Sequence, residues 1–128
     1  MPIEYQIEHD RRLVSARAIG NLTAEDIFNY QREVWSLPEA RGYNELIDMS
    51  NVKEIVSPTS DKLVELARLS ASMDDRTIPT KFAIVASDTF AYGMGRMYEV
   101  YRNLNPRSTK VVQVFRSMKD AMEWIEGK

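Results

Sequence analysis

Lys81-Phe82-Ala83-Ile84-Val85-Ala86 and, further on, Val111-Val112-Gln113-Val114-Phe115 decide the fold class. Each is a short, almost unbroken apolar run rich in branched and aromatic residues. Such runs are strands covered on both faces, and parallel sheets are where both faces are covered. Between them, Ser87-Asp88-Thr89 supplies helix-capping side chains, and Phe90 to Leu104 carries apolar residues at helical spacing. The result is a strand–helix–strand unit, closed by a right-handed crossover.

The same grammar extends in both directions. Towards the C-terminus, Ser117 and Asp120 form a cap pair that starts a last helix, with Met118, Ala121, Met122 and Ile125 on its core face. Towards the N-terminus, Glu45-Leu46-Ile47-Asp48-Met49 reads as another strand. Ser50 to Pro58 is the longest connection, and Ser57-Pro58 opens a helix with proline at its first position. Leu63, Leu66, Ala67, Ser70 and Met73 give that helix a buried stripe, and Asp74-Asp75-Arg76 is its polar exit. Thr23 caps an earlier helix, answered by Asp26, with Ile27, Gln31, Val34 and Trp35 on one face and Tyr30 and Leu37 beside them. Before it, Ile3–Glu8 alternates apolar and polar residues, His9–Arg12 is a hairpin turn, and Leu13–Ile19 is a second strand ended by Gly20-Asn21. The order is β-β-α-β-α-β-α-β-α: an α/β domain with a mostly parallel sheet, spanning residues 1–128 as one unit.

Composition narrows the function. A chain of 128 residues suits one domain, and a net charge of −2 gives no overall attraction to nucleic acid or to an anionic membrane. No apolar run reaches the roughly 20 residues of a membrane span, and the start has no basic-then-apolar leader. The absence of cysteine removes disulfides and thiolate ligands, and a cytoplasmic location is expected. His9 is the single histidine and sits in a turn, so it reads as a solvated residue. No catalytic set, metal-ligand pattern or cofactor fingerprint is marked; Gly93-x-Gly95 lacks the third glycine and preceding context of a dinucleotide loop.

The stretches FAIVA (82–86), SDTFAYGMGRMYEVY (87–101) and VVQVFRSMKDAMEWI (111–125), with GNLTAEDI (20–27) and ELIDMSNV (45–52), resemble the SpoIIAA-like proteins, relatives of the STAS domain. The resemblance covers nearly the whole chain. It implies a regulatory or binding module and not an enzyme; a likeness of some members to the lipid-binding Sec14 domain implies an apolar ligand as the alternative. The type case, an anti-sigma factor antagonist, is switched by phosphorylation of a serine at the start of the helix after its central strand. The corresponding region here, Asp48 to Asp61, lacks the Asp-Ser-Ser-Gly pattern and has Ser57, Thr59 and Ser60 after a longer loop.

Two groups of candidate residues follow. The carboxyl ends of parallel strands are where ligands and partners meet such a sheet. That edge collects Asp48, Ser50, Asn51, Ser57, Thr59, Ser60, Ser87, Asp88, Thr89 and Arg116, with Ser117; the plainer reading makes them caps and turns. The second group is the helix after the fourth strand. Phe90, Met94, Met97 and Tyr101 form one stripe with Tyr98 alongside, Tyr92 points elsewhere, and Gly93 and Gly95 permit close approach. Its plainer reading is a helix pressed on the sheet; its functional reading is a homodimer contact, a site for another protein, or a groove for an apolar ligand. The leading expectation is a noncatalytic interaction module; the alternative is a binder of a lipid or other apolar small molecule.

Overall fold

The structure, a computed structural model, describes residues 2–56 and 59–127. The elements run β1 (Ile3–Glu8), β2 (Leu13–Thr23), α1 (Ala24–Trp35), a 3-10 turn (Pro38–Ala40), β3 (Asn44–Val56), α2 (Ser60–Met73), β4 (Thr80–Val85), α3 (Thr89–Leu104), β5 (Lys110–Phe115) and α4 (Met118–Ile125). The expected order of strands and helices is present. The expected helix opening at Ser57-Pro58 lies outside the described residues.

The five strands form one sheet in the order β1-β2-β3-β4-β5, with β1 antiparallel to β2 and the rest parallel. Each crossover steps one strand in the same direction. A constant right-handed sense therefore puts α1, α2 and α3 on one face. There they cover Val14, Ala16, Ile47, Phe82, Ile84, Val112 and Val114. α4 follows the last strand and folds onto the opposite face, over Leu13, Leu46, Ala83 and Val85 through Ala121. This double cover explains the apolar run of β4, whereas β5, read from its sequence as covered on both faces, is covered on one: Lys110, Val112 and Val114 are buried, but Val111 is 54% exposed and Gln113 is exposed as well. Phe82, Ile84, Val112 and Val114 are all buried, as their strands require.

Two expectations are corrected. The stretch from Ser50 is not a loop: β3 continues to Val56 and β2 continues through Gly20-Asn21 to Thr23, paired from Ile19↔Asn51 to Thr23↔Val56. Gly20 takes a φ of +74°, and the register shifts between Gly20 and Asn21 absorb an extra residue of β3. The bulge turns both Val52 and Ile55 inward although they are three residues apart. The second correction is the rotation of α3. Its buried stripe is Ala91, Gly95, Tyr98 and Arg102; Phe90 and Met97 are exposed, and Met94 and Tyr101 are half-buried.

That rotation separates the two glycines. A Cβ on Gly95 would stand 3.1 and 3.2 Å from the methyls of Val114, whereas one on Gly93 would meet nothing within 4 Å. Gly95 is thus the residue that lets α3 sit on β5, the plainer of its two readings. Gly95→Leu should overpack and cost ~1–3 kcal/mol, while Gly93→Ala should gain up to ~1 kcal/mol. Urea melts of the two variants check this; equal and opposite placement of the effects would show that α3 is turned differently.

The outer edge of β5 is covered from α3. Asn103 accepts from the Val112 N–H and donates to the Val112 carbonyl, at 3.2 and 3.1 Å, and Glu99 accepts from the Val114 N–H at 3.0 Å. The open edge that would otherwise recruit another strand is hydrogen-bonded within the chain.

Candidate functional site

Between the three-helix layer and the sheet lies an apolar cavity of about 110 Å³. Its walls are Ile27 and Phe28 of α1, Leu63 and Leu66 of α2, and Ala91 and Met94 of α3; Ile47, Met49, Phe82 and Ile84 form its floor. The small side chains of Ala24 and Ala91 on the facing turns leave the space unfilled. The mouth lies by Ile55, Val56, Thr59 and Lys62, where the β2–β3 extension meets the start of α2. It therefore opens at the carboxyl edge of the parallel strands, where such sheets place ligands.

The inner end is polar, with Tyr30, Gln31, Glu45 and Tyr98. Glu45 and Lys110 have the same strand parity as Ile47 and Val112, so both point into the helix-covered face. Lys110 Nζ donates to Glu45 at 3.0 Å, and the Tyr30 hydroxyl donates to the other carboxylate oxygen at 2.8 Å. Lys110 Nζ also stands 3.0 Å from the centre of the Trp35 ring, a cation–π contact that adds to the pairing. The side chains of this ion pair are 7% and 2% exposed, and a buried pair holds only if both members are satisfied. Behind it, Ser70 donates to Gln31 at 3.0 Å, and Tyr98 accepts from Arg102 at 2.8 Å. Arg102 reaches both carboxylate oxygens of Asp74, at 2.9 and 2.7 Å. Asp74 is therefore not part of a merely polar exit: it anchors α3 to the end of α2 and accepts from the Thr109 and Lys110 amides.

Lys110 also lines a second depression of about 340 Å³ on the other side of the pair, with Trp35, Tyr43 and Asp75. The Glu45–Lys110 bridge is the wall between the two spaces.

Burial shifts these groups. It pushes the Tyr30 hydroxyl well above its usual 10.0, with the Glu45 charge adding to the effect. The buried Trp35 Nε1 has no acceptor in hydrogen-bond geometry among the described residues, yet lies near enough to Tyr30 to oppose part of that rise. Burial raises Tyr98 as well, against the pull of Arg102, and it lowers Lys110 from 10.5, which Glu45 offsets only in part. The signs differ. Above pH ~10 the unfolded chain loses tyrosyl protons that the folded chain keeps, so stability falls as pH rises. Between the lowered Lys110 value and 10.5 the unfolded chain holds more protons, so stability rises with pH in that window. Unfolding free energy should climb towards pH ~10 and then drop. Tyr98→Phe should flatten the drop, and an alkaline limb equally steep in that variant would rule the assignment out.

The loop-edge candidates are mostly employed locally. Asp88 accepts from the Ala91 amide at 3.0 Å, Thr59 from the Lys62 amide at 3.2 Å, and Asp48 from the Ser50 amide at 2.9 Å. Ser60 and Thr89 are first residues of α2 and α3, and Ser50 and Asn51 lie within β3 and not in a loop. The Arg116 guanidinium stacks 4.2 Å from the centre of the Tyr92 ring and donates to the Ser87 carbonyl at 3.5 Å. Ser57 lies outside the described residues. Of this set Thr59 lines the cavity; of the α3 set Met94, Gly95 and Tyr98 do. His9 is exposed but engaged, its Nδ1 2.8 Å from the Tyr43 hydroxyl and its Nε2 3.7 Å from Glu39. Among the described residues no cluster of three or more acidic or histidine side chains could hold a metal ion, and no helix is long and apolar enough to cross a membrane.

The residues that sequence reasoning missed are Glu45, Lys110, Asp74 and Arg102. For the first two the signal was parity, since each is a charge in step with core-facing positions of its strand. For Asp74 and Arg102 no local signal existed.

No family model and no curated protein matches this chain. Solved structures do. One is an uncharacterized protein of the DUF3478 family with a SpoIIAA-like fold from Shewanella loihica PV-4, 18% identical, with a TM-score of 0.60 over 96% of this chain and 93% of that one. Another is the anti-sigma factor antagonist SpoIIAA in its unphosphorylated form, 11% identical, with a TM-score of 0.52 over 98% of this chain and 99% of that one. The chain has the SpoIIAA-like fold expected from its sequence.

Proposed function

We propose that this chain is a noncatalytic binding module of the STAS-like kind, and that it takes a small apolar molecule into the cavity between α1, α2, α3 and the sheet. The cavity itself is the observation that carries the reading. A well-packed domain leaves few spaces larger than a water molecule, and an apolar cavity of about 150 Å³ is known to stay dry and to hold benzene. This one is of similar size and is open at one end, so it suits about one ring or a short alkyl segment with more of the ligand in the mouth. The polar groups at its inner end are held in pairs, an arrangement that suits recognition, and we assign no reaction to it.

Toluene is the probe. Titrated into ¹⁵N-labelled protein, it should shift the amides of Ile47, Ala91 and Met94 saturably. Ala91→Leu should fill the space, raise stability by ~0.5–2 kcal/mol and abolish that response. A wild-type protein blind to toluene, or a filled variant that still binds it, would sink the reading. Native mass spectrometry of protein from its own cell would report the natural occupant.

A second reading rests on a different surface. Phe90, Met97, Val100 and Leu104 lie along one side of α3 and are exposed, Leu104 to 77%. This stripe suits a homodimer or a regulatory protein contact of the sort the SpoIIAA likeness implies, made by the helix and not by strand addition at the neighbouring β5 edge, which is covered. Sedimentation velocity of wild type and Leu104→Glu tests it: a wild-type monomer at high concentration argues against self-association.

A further inference from the structure

We propose that the cavity selects a neutral, mostly apolar molecule carrying one hydroxyl or N–H donor, which points inward to the carboxylate of Glu45. This rests on the cavity being a ligand site, and it adds the class of ligand. The walls select for apolar surface, and among the described residues the side chains that break the apolar lining at its inner end are Tyr30, Gln31, Glu45 and Tyr98. Gln31 accepts from Ser70, and Tyr98 accepts from Arg102, so what the Tyr98 hydroxyl has left to offer is a proton and not a charged acceptor. Tyr30 spends its proton on Glu45. Glu45 differs from these. Each of its oxygens takes one hydrogen bond, from Lys110 and from Tyr30, whereas a carboxylate can accept about four. Acceptor capacity is therefore left over on a buried, charge-bearing group beside an apolar space, and the ligand group that uses it is a donor.

Charge narrows the class further. A carboxylate or phosphate head would be brought against Glu45 without a free cation, because the Lys110 ammonium already lies between Glu45 and the Trp35 ring. An ammonium head would meet a carboxylate whose charge is already balanced and would stand close to Lys110. A neutral alcohol, phenol or amide gains a hydrogen bond to a charged acceptor without importing a charge into a desolvated space. The polar inner end and the apolar walls thus fix both the orientation and the sign of the ligand.

Toluene and benzyl alcohol share a ring and differ by the donor, but they also differ in hydration, so a ratio taken on one protein is not enough. The ratio of their dissociation constants is compared between wild type and the triple variant Tyr30→Phe, Glu45→Leu, Lys110→Met. This variant removes hydroxyl, carboxylate and ammonium together and leaves none of the three unpaired. The hydration difference cancels between the two proteins. The preference for benzyl alcohol should fall about tenfold or more in the variant. An unchanged ratio, with both probes bound, overturns the donor inference and leaves the cavity reading intact. Failure of toluene to bind wild type overturns both, and failure of benzyl alcohol alone overturns the donor inference only. A further measurement needs no variant: benzoate should bind wild type at least about tenfold more weakly than benzyl alcohol. Equal or tighter benzoate binding overturns the inference by itself.

Discussion

Asp74→Ala should lower the unfolding free energy by ~3–5 kcal/mol, because it strands the Arg102 guanidinium in the interior. The side chains of Arg102 and Asp74 are 1% and 3% exposed, so neither charge has water to fall back on. Burial works against the Arg102 charge, and its contacts with Tyr98 and Asp74 outweigh that, leaving its pKa raised. The truncation also orphans the Thr109 and Lys110 amides, which Asp74 accepts at 2.9 and 3.2 Å. The pair ties the C-terminal end of α2 to the last turn of α3 and to the start of β5, so three elements loosen together. Urea denaturation at neutral pH measures the loss. The double variant Asp74→Ala, Arg102→Leu should recover much of it, since a pair removed whole leaves no uncompensated charge. A single variant within ~0.5 kcal/mol of wild type, as for an ordinary surface change, would show that the pair is solvated.

Ile84→Asp should abolish cooperative folding. Ile84 is 7% exposed and lies in register between Ile47 and Val114, in an interior strand of the parallel part of the sheet. It faces the cavity and the close contact of Gly95 with β5, and the basic side chain of the described lining, Lys62, stands away from it at the mouth. An ionised or even protonated carboxyl placed there costs several kcal/mol, a large part of the ~5–15 kcal/mol that holds a domain of this size. Ile84→Val, which keeps shape and apolarity, should cost only ~0.5–1.5 kcal/mol. Thermal melts by circular dichroism separate the two. An aspartate variant that melts like wild type would place residue 84 on the surface and reverse the face assignment of β4.

Much of the fold was legible because the signals are local and redundant. The run at Phe82–Ala86 reads as a strand covered twice and is one, while Val111–Phe115 reads the same way and is a strand with one open face, at Val111 and Gln113. The Thr23–Asp26 capping box and the Ser117 cap appear as expected, with the Asp26 and Asp120 amides donating to the cap hydroxyls at 3.1 and 3.2 Å. Legibility failed where a neighbour in space overrode a local rule. Gly20-Asn21 reads as a strand end, yet partnership with β3 carries β2 onward and uses the glycine for a bulge. Phe90, Met94, Met97 and Tyr101 read as one stripe, open either to packing on the sheet or to a partner, yet α3 is turned by the close approach of Gly95 to Val114 and by the demands of Arg102, which leaves Phe90 and Met97 exposed. The candidate site was missed for a related reason. A cavity is space between elements, and neither Ala91 nor Glu45 announces it alone.

The order of strands and helices, the parallel sheet and the caps were determined by the sequence itself, since periodicity, turn chemistry and capping act over a few neighbouring residues. Their pairing into a site was decided only by the tertiary structure. Glu45 and Lys110 are 65 residues apart, and Asp74 and Arg102 are 28 apart. Their opposite charges give no hint of partnership until the sheet order and the three-helix layer bring them together. The same layer sets how much room Ala24 and Ala91 leave, because the volume of a cavity depends on how far apart packed elements come to rest, a distance that no single segment contains.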